Sequence, residues 1–315
     1  MRVRACGICG SDVHFLDGHA PVATTPITLG HEPAGTIEAV GPGVAGLKPG
    51  AAVVVRAGDS CGQCSSCAVG RANICERSRV LGMHVDGGLA EFVVANAADL
   101  IPIPAGVPFE QAAIISDAVA TPYHALVERG QVRAGETVAV FGCGGLGIHA
   151  VQLARLSGAG MVIAVDVRRS ALERAVRAGA DVTIHAAEER APRRIHELTG
   201  GVDLALECIG RAETIGDAAK SLRRGGRAVV VGMGTKPIAL PPPNTFTWSE
   251  YALIGSFGSS AESVRRLLGM VASGRLDLSD SVSDLLPLTA VNRGIDLLRS
   301  PDRDSVRVVI QPGKE

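Results

Sequence analysis

Val138-Ala139-Val140-Phe141-Gly142-Cys143-Gly144-Gly145-Leu146-Gly147 joins a short apolar run to a G-x-G-x-x-G turn. The run is of strand length, and residues 147–157 carry the apolar spacing of an amphipathic helix. Strand, glycine turn and helix in that order form a phosphate cradle. Gly142 permits the tight turn, Gly144 lets the backbone approach a pyrophosphate, and Gly147 allows close helix–sheet packing. The helix start, with Gly145 and Leu146, offers unpaired N–H groups and a favourable dipole to the phosphates. A second strand over 161–165 runs into Asp166, placed for the acid that takes the ribose hydroxyls. An acid there repels a 2′-phosphate, so NAD is expected ahead of NADP. Arg168 and Arg169 follow at once and work against that preference.

The same rhythm continues outward. Strands are expected over 137–141, 161–165, 203–207 and 227–231, with helices over 147–157, 171–178 and 212–222. This alternation predicts a parallel, doubly wound sheet from about 118 to 258. Before it, short strands over 36–40, 51–55, 91–94 and 100–102 are divided by Gly/Pro turns. After it come helices over 261–273 and 289–299 and a closing strand over 306–310.

Bulk properties narrow the function. In 315 residues, 46% are hydrophobic and 20% charged, which is ample core material for two domains. A net charge of −1 argues against nucleic acid or an anionic membrane as partner. The most apolar windows are of strand length, far short of the ~20 residues of a membrane span. The start of the chain lacks a signal-peptide run, so a cytoplasmic location is expected. In that compartment eight cysteines are expected as metal ligands, redox groups or small core residues rather than disulfides.

Cys61-x-x-Cys64-x-x-Cys67-x7-Cys75 suits a closed, tetrahedral structural Zn²⁺ site. A [4Fe–4S] cluster is the metal alternative. Such a site stabilises its lobe and does no chemistry.

Residues 5–14, A-C-G-I-C-G-S-D-V-H, carry two cysteines, a hydroxyl and an imidazole close to the chain start. Gly30-His31-Glu32 and Ser116-Asp117 supply possible partners. Each has an ordinary reading: Cys6 and Cys9 as a dithiol, His31 as a structural histidine, Asp117 as a cap for a helix over 118–128, Ser11 and His14 as turn residues. Taken in order with the four-cysteine lobe, D-A-V-A-T-P-Y-H-A-L and G-C-G-G-L-G, these motifs resemble the zinc-containing medium-chain alcohol dehydrogenases across nearly the whole chain.

The resemblance implies a GroES-like, β-rich catalytic domain built from 1–117 and 259–315, and a Rossmann domain over 118–258. It implies an active site in a cleft between them. It makes Cys9, His31 and Asp117 the ligands of a catalytic zinc, with Glu32 the nearby carboxylate that exchanges with the zinc-bound water. Two zinc ions per chain follow. An alcohol would lose hydride to NAD, giving an aldehyde or ketone, while Ser11 takes its proton and passes it through the cofactor ribose to His14. Thr121 falls near the nicotinamide end, and Arg307 where some members place an arginine toward the pyrophosphate. The substrate would be a primary or secondary alcohol or a polyol; formaldehyde- or threonine-type activity, or an inert nucleotide-binding paralogue, are the alternatives. Assembly as a homodimer or homotetramer is implied, through the Rossmann domain and a strand over 251–257. The family also carries about two dozen to thirty residues ahead of this motif, so residues 1–4 read as the tail of a strand whose beginning and partner are missing.

Overall fold

A computed structural model describes residues 1–300 and 305–313. Its strands are, in chain order, β1 (Arg2–Ile8), β2 (Glu32–Thr36), β3 (Ala52–Val55), β4 (Leu100–Pro102), β5 (Thr137–Phe141), β6 (Met161–Asp166), β7 (Val182–His185), β8 (Val202–Glu207), β9 (Leu222–Val230), β10 (Ala252–Gly255), β11 (Val282–Pro287) and β12 (Arg307–Gln311). The chain divides into two compact units, Met1–Ala120 with Gly258–Glu315, and Thr121–Phe257.

The first unit holds a mixed sheet in the order β11-β12-β1-β2-β3-β4. Its β1 is paired on both edges, with β2 on one side and β12 on the other. Within residues 1–4, Arg2 and Val3 pair with Thr36 and Gly35 of β2. Val3 N–H also donates to Glu91 O at 2.9 Å, and Val93 N–H to Met1 O at 3.0 Å. That contact is all that forms of the strand expected over 91–94: a single bridge joins Arg2 to Phe92, and Val94 is 91% exposed. The strand expected over 36–40 lies instead at Glu32–Thr36 and shares only Thr36 with it, because antiparallel pairing with β1 sets Gly7 opposite Glu32 and Arg2 opposite Thr36. Two apolar clusters hold the sheet, one on Ile8, Val308 and Ile310, the other on Val3, Cys6 and Val55.

The second unit is an all-parallel sheet ordered β10-β9-β8-β5-β6-β7. The buried runs of β5, β6 and β8 pack with Ala191 and Ile195 of one helix and Ala218 of another, as strands of a covered parallel sheet do. β7 and the helix Ala191–Thr199 were not read from the sequence. V-T-I-H is too short to show a period, and A-P-R-R-I-H-E-L-T buries only Ala191 and Ile195. β9 starts five residues earlier than the expected 227, through a polar, glycine-containing stretch that masks its pattern.

Candidate active site and metal centres

In the first unit, Cys9 leaves β1 in extended conformation and caps the helix Gly10–Leu16. Three residues on, Asp12 turns back into the protein and is fully buried. Its carboxylate accepts the N–H of Cys9 at 2.8 Å and of Gly30 at 3.2 Å, and faces Nδ1 of His31 at 3.4 Å. One side chain thus ties the loop of the first ligand to the loop of the second. Asp12 was missed in the sequence, although an acid three residues past a helix start is the position that reaches back to the cap N–H.

Asp117 closes the group. The helix Phe109–Ile114 runs into a π-helical stretch, Ile115–Val119, and Asp117 sits in its middle rather than at its start. The capping role weighed from the sequence is therefore excluded by position. Asp117 Oδ2 stands 3.6 Å from Cys9 Sγ and 3.6 Å from His31 Nε2. Donor atoms of Cys9, His31, Glu32 and Asp117 all lie within 4.8 Å of one another. Tetrahedral zinc with bonds near 2.0–2.3 Å needs donors about 3.3–3.8 Å apart, and both separations from Asp117 meet that spacing.

Arg307, expected toward a pyrophosphate, is 3% exposed and lies among the candidate ligands. Its guanidinium stands 3.0 Å from Glu32 Oε1 and 3.9 Å from Asp117 Oδ2, and donates to Ile8 O at 3.2 Å. The physical reason is charge: a buried cysteine and two carboxylates need a cation, and β12 presents one beside β1. Burial pushes the Glu32 carboxyl well above its usual range, against the pull of Arg307. Burial also opposes a charged Cys9, but Arg307 and His31 beside it outweigh that and lower the thiol. Burial likewise disfavours a charged His31 ring, yet Asp12 and Asp117 hold its pKa well above the ordinary value.

Ser11 and His14 sit on the same helix, three residues apart and so on one face, with Ser11 half-buried and His14 exposed. Cys6 is fully buried in the apolar cluster with Val3 and Val55, and no disulfide joins it to Cys9.

The four-cysteine lobe forms around a short helix, Ser65–Ala68. Sulfur–sulfur distances are 4.0 Å for Cys61–Cys67 and 3.8 Å for Cys64–Cys75. Tetrahedral Zn–S bonds near 2.3 Å require about 3.8 Å, so the set fits a closed zinc site. Backbone N–H groups of Gln63 and Cys64 point at Cys61 Sγ and push its thiol down to about 6.

In the second unit, the glycine turn follows β5 as expected. A Cβ on Gly147 would overlap Gly142 O, so the turn closes only on glycine. Leu146 caps the helix Gly147–Leu156, and its first turns are set by Ile148 N–H to Gly144 O at 3.0 Å and the His149 ring to Gly145 O at 2.8 Å. Asp166 ends β6 with its carboxylate engaged. Oδ2 accepts Cys143 N–H at 2.8 Å, and Oδ1 accepts Arg168 N–H at 2.9 Å. Arg168 Nε stands 3.4 Å from Oδ1, whereas Arg169 is paired with Glu188. Thr121 is buried in the helix Ala120–Tyr123. The strand order reverses between β5 and β8, which is where open parallel sheets bind ligands, beyond the carboxyl ends of their strands. The turn, the helix start and Asp166 fit a dinucleotide.

Residues 1–105 match the family description "Alcohol dehydrogenase GroES-like domain", and residues 145–273 match "Zinc-binding dehydrogenase". An alcohol dehydrogenase of Geobacillus stearothermophilus is 37% identical over 94% of this chain and 87% of its own length. The chain belongs to the zinc-containing medium-chain dehydrogenase/reductase family. Another member, an L-threonine 3-dehydrogenase of Bacillus licheniformis, is 30% identical over 95% of this chain and 87% of its own length. Among solved structures, the alcohol dehydrogenase TADH from Thermus sp. ATN1 superposes with a TM-score of 0.92 at 34% identity, covering 99% of this chain and 91% of that one. The GroES-like and Rossmann-type architecture of this family is the one observed, and the chain is an oxidoreductase of the zinc-binding dehydrogenase type. No helix among the described residues is long and apolar enough to cross a membrane.

Proposed function

We propose that the protein reversibly oxidises a primary or secondary alcohol, or a polyol, to the aldehyde or ketone with NAD. The observation that carries this is the donor set Cys9, His31 and Asp117, spaced for zinc, with Glu32 drawn toward Arg307. Three protein donors leave a position for an exchangeable oxygen ligand. Bound zinc supplies the Lewis acidity that lowers the pKa of an alcohol hydroxyl, and bound NAD accepts hydride. The chain's own residues do the rest. Asp12 keeps the His31 ring oriented. Arg307 balances the buried negative charge, so Glu32 can approach or leave the fourth position without being left as an unpaired ion. Ser11 takes the alcohol proton, and His14, exposed on the same helix face, gives it to solvent. Asp166 favours a free 2′-hydroxyl on the dinucleotide over a phosphate. We further propose two zinc ions per chain, the second in the cysteine lobe, and assembly through the second unit as a dimer or tetramer.

The test is reduction of NAD and NADP with a panel of simple alcohols, polyols, L-threonine and formaldehyde adducts, before and after chelation, with zinc counted per chain. Zinc-loaded protein that reduces neither dinucleotide with any of these overturns the reading. Threonine oxidation is the second reading, favoured by the Bacillus licheniformis relative; activity on L-threonine above all simple alcohols selects it.

A further inference from the structure

β5 stands between two strands that each end in a buried carboxylate, Asp166 on β6 and Glu207 on β8. The first already has a role at the glycine turn; the second has none so far. Glu207 is fully buried, and no ion pair reaches it among the described residues. Its charge is met by donors from one short turn and the helix after it. Oε1 accepts the N–H of Ile209 at 3.0 Å, the N–H of Gly210 at 2.9 Å and the hydroxyl of Thr214 at 2.7 Å. Oε2 accepts Gly210 N–H at 3.1 Å. Burial raises the carboxyl above its usual range while these donors pull it back. A buried carboxylate without such donors is expensive, so the turn cannot drift without exposing that penalty.

The turn lies where a nucleotide site is built. Cys208 N–H donates to Phe141 O at 2.9 Å, which joins the turn to the end of β5. Gly142, the first glycine of the cradle, has φ of +87°, and a Cβ there would stand 2.5 Å from Ile209 Cγ1. Ile209 is therefore pressed against the glycine turn at the point where the strand order reverses.

We propose that Glu207 is a positioning residue of the dinucleotide crevice. It clamps residues 208–210 so that Ile209 holds the glycine turn in the shape that receives a nicotinamide dinucleotide. This rests on the reading that the crevice binds such a dinucleotide, and it adds a residue that touches neither cofactor nor substrate.

Three variants of the full chain test it by NADH binding, followed by protein fluorescence, and by amide hydrogen exchange in dinucleotide-free protein. Glu207→Leu is expected to weaken NADH binding about tenfold and to speed exchange at residues 142–146 as well as 208–210. The Michaelis constant for the dinucleotide rises by a similar factor, with kcat at saturation little changed. Glu207→Gln keeps one oxygen for the Ile209 and Gly210 amides and is expected to restore binding to within about threefold of wild type. Should Glu207→Leu fail to fold, Thr214→Val carries the test, with binding weakened about threefold. A folded Glu207→Leu or Thr214→Val that is less heat-stable but binds NADH as wild type does reduces Glu207 to a structural part and overturns the proposal. Wild-type protein that binds neither NADH nor NADPH overturns the functional reading itself.

Discussion

The two candidate metal centres are built in opposite ways. The cysteine lobe draws four like donors from fifteen consecutive residues, with thiols held by backbone N–H groups at the surface. The Cys9 centre draws three unlike donors from segments up to 108 residues apart, and buries them with a carboxylate and a guanidinium whose charges answer one another. A uniform, closed set of ligands can only hold an ion. A mixed set with Glu32 held to one side leaves room for chemistry, and it needs Asp12 and Arg307 because no single loop orients it.

Breaking one ligand in each centre should separate these roles most sharply. Cys9→Ala is expected to remove one zinc and bring turnover to background, while the melting temperature changes little; zinc analysis and activity on the same sample check this. Cys64→Ser is expected to remove the other zinc and lower the melting temperature by about 10 °C, with activity per folded molecule retained. Asp12→Asn should leave both loops folded yet weaken zinc at the Cys9 centre about 10–100-fold, without effect on the lobe; chelator competition measures both sites.

The smallest effect is a pH dependence confined to the lobe. Cys61 is lowered from the ordinary 9.0 to about 6, so the folded lobe holds a thiolate where the unfolded chain holds a thiol. That stabilisation is fully present above about 9 and is lost as pH falls through about 6. Thermal melts of the metal-stripped protein should lose this contribution as pH falls through about 6. Melts that do not change between about pH 9 and about pH 5 would show that the Cys61 thiolate adds nothing to the lobe.

The contrast also explains what could be read in the sequence. The lobe and the glycine turn are local, so spacing alone exposes Cys61, Cys64, Cys67, Cys75 and Gly142 to Gly147. Cys9, His31 and Asp117 became a set only through resemblance, because β1, the 30–32 loop and the π-helical stretch meet only in three dimensions. The place of Arg307 beside Glu32 was hidden for the same reason: strand pairing of β12 with β1, invisible in a one-dimensional pattern, brings them together. Asp12 and Glu207 act largely through backbone amides, which composition does not show; only the place of Asp12 three residues past the helix start marks it.

Asp117 owes its aim to counting as much as to chemistry. In the π-helical stretch Ile115–Val119 one extra residue is taken into the turn, so the helix carries a phase offset at the ligand. Deleting a single residue there would return the stretch to ordinary α-helical spacing and shift the direction in which the residue at 117 leaves the helix, although no candidate ligand had been mutated. A one-residue gap in this helix would thus disturb the donor set through length alone, with every metal-binding letter still in place.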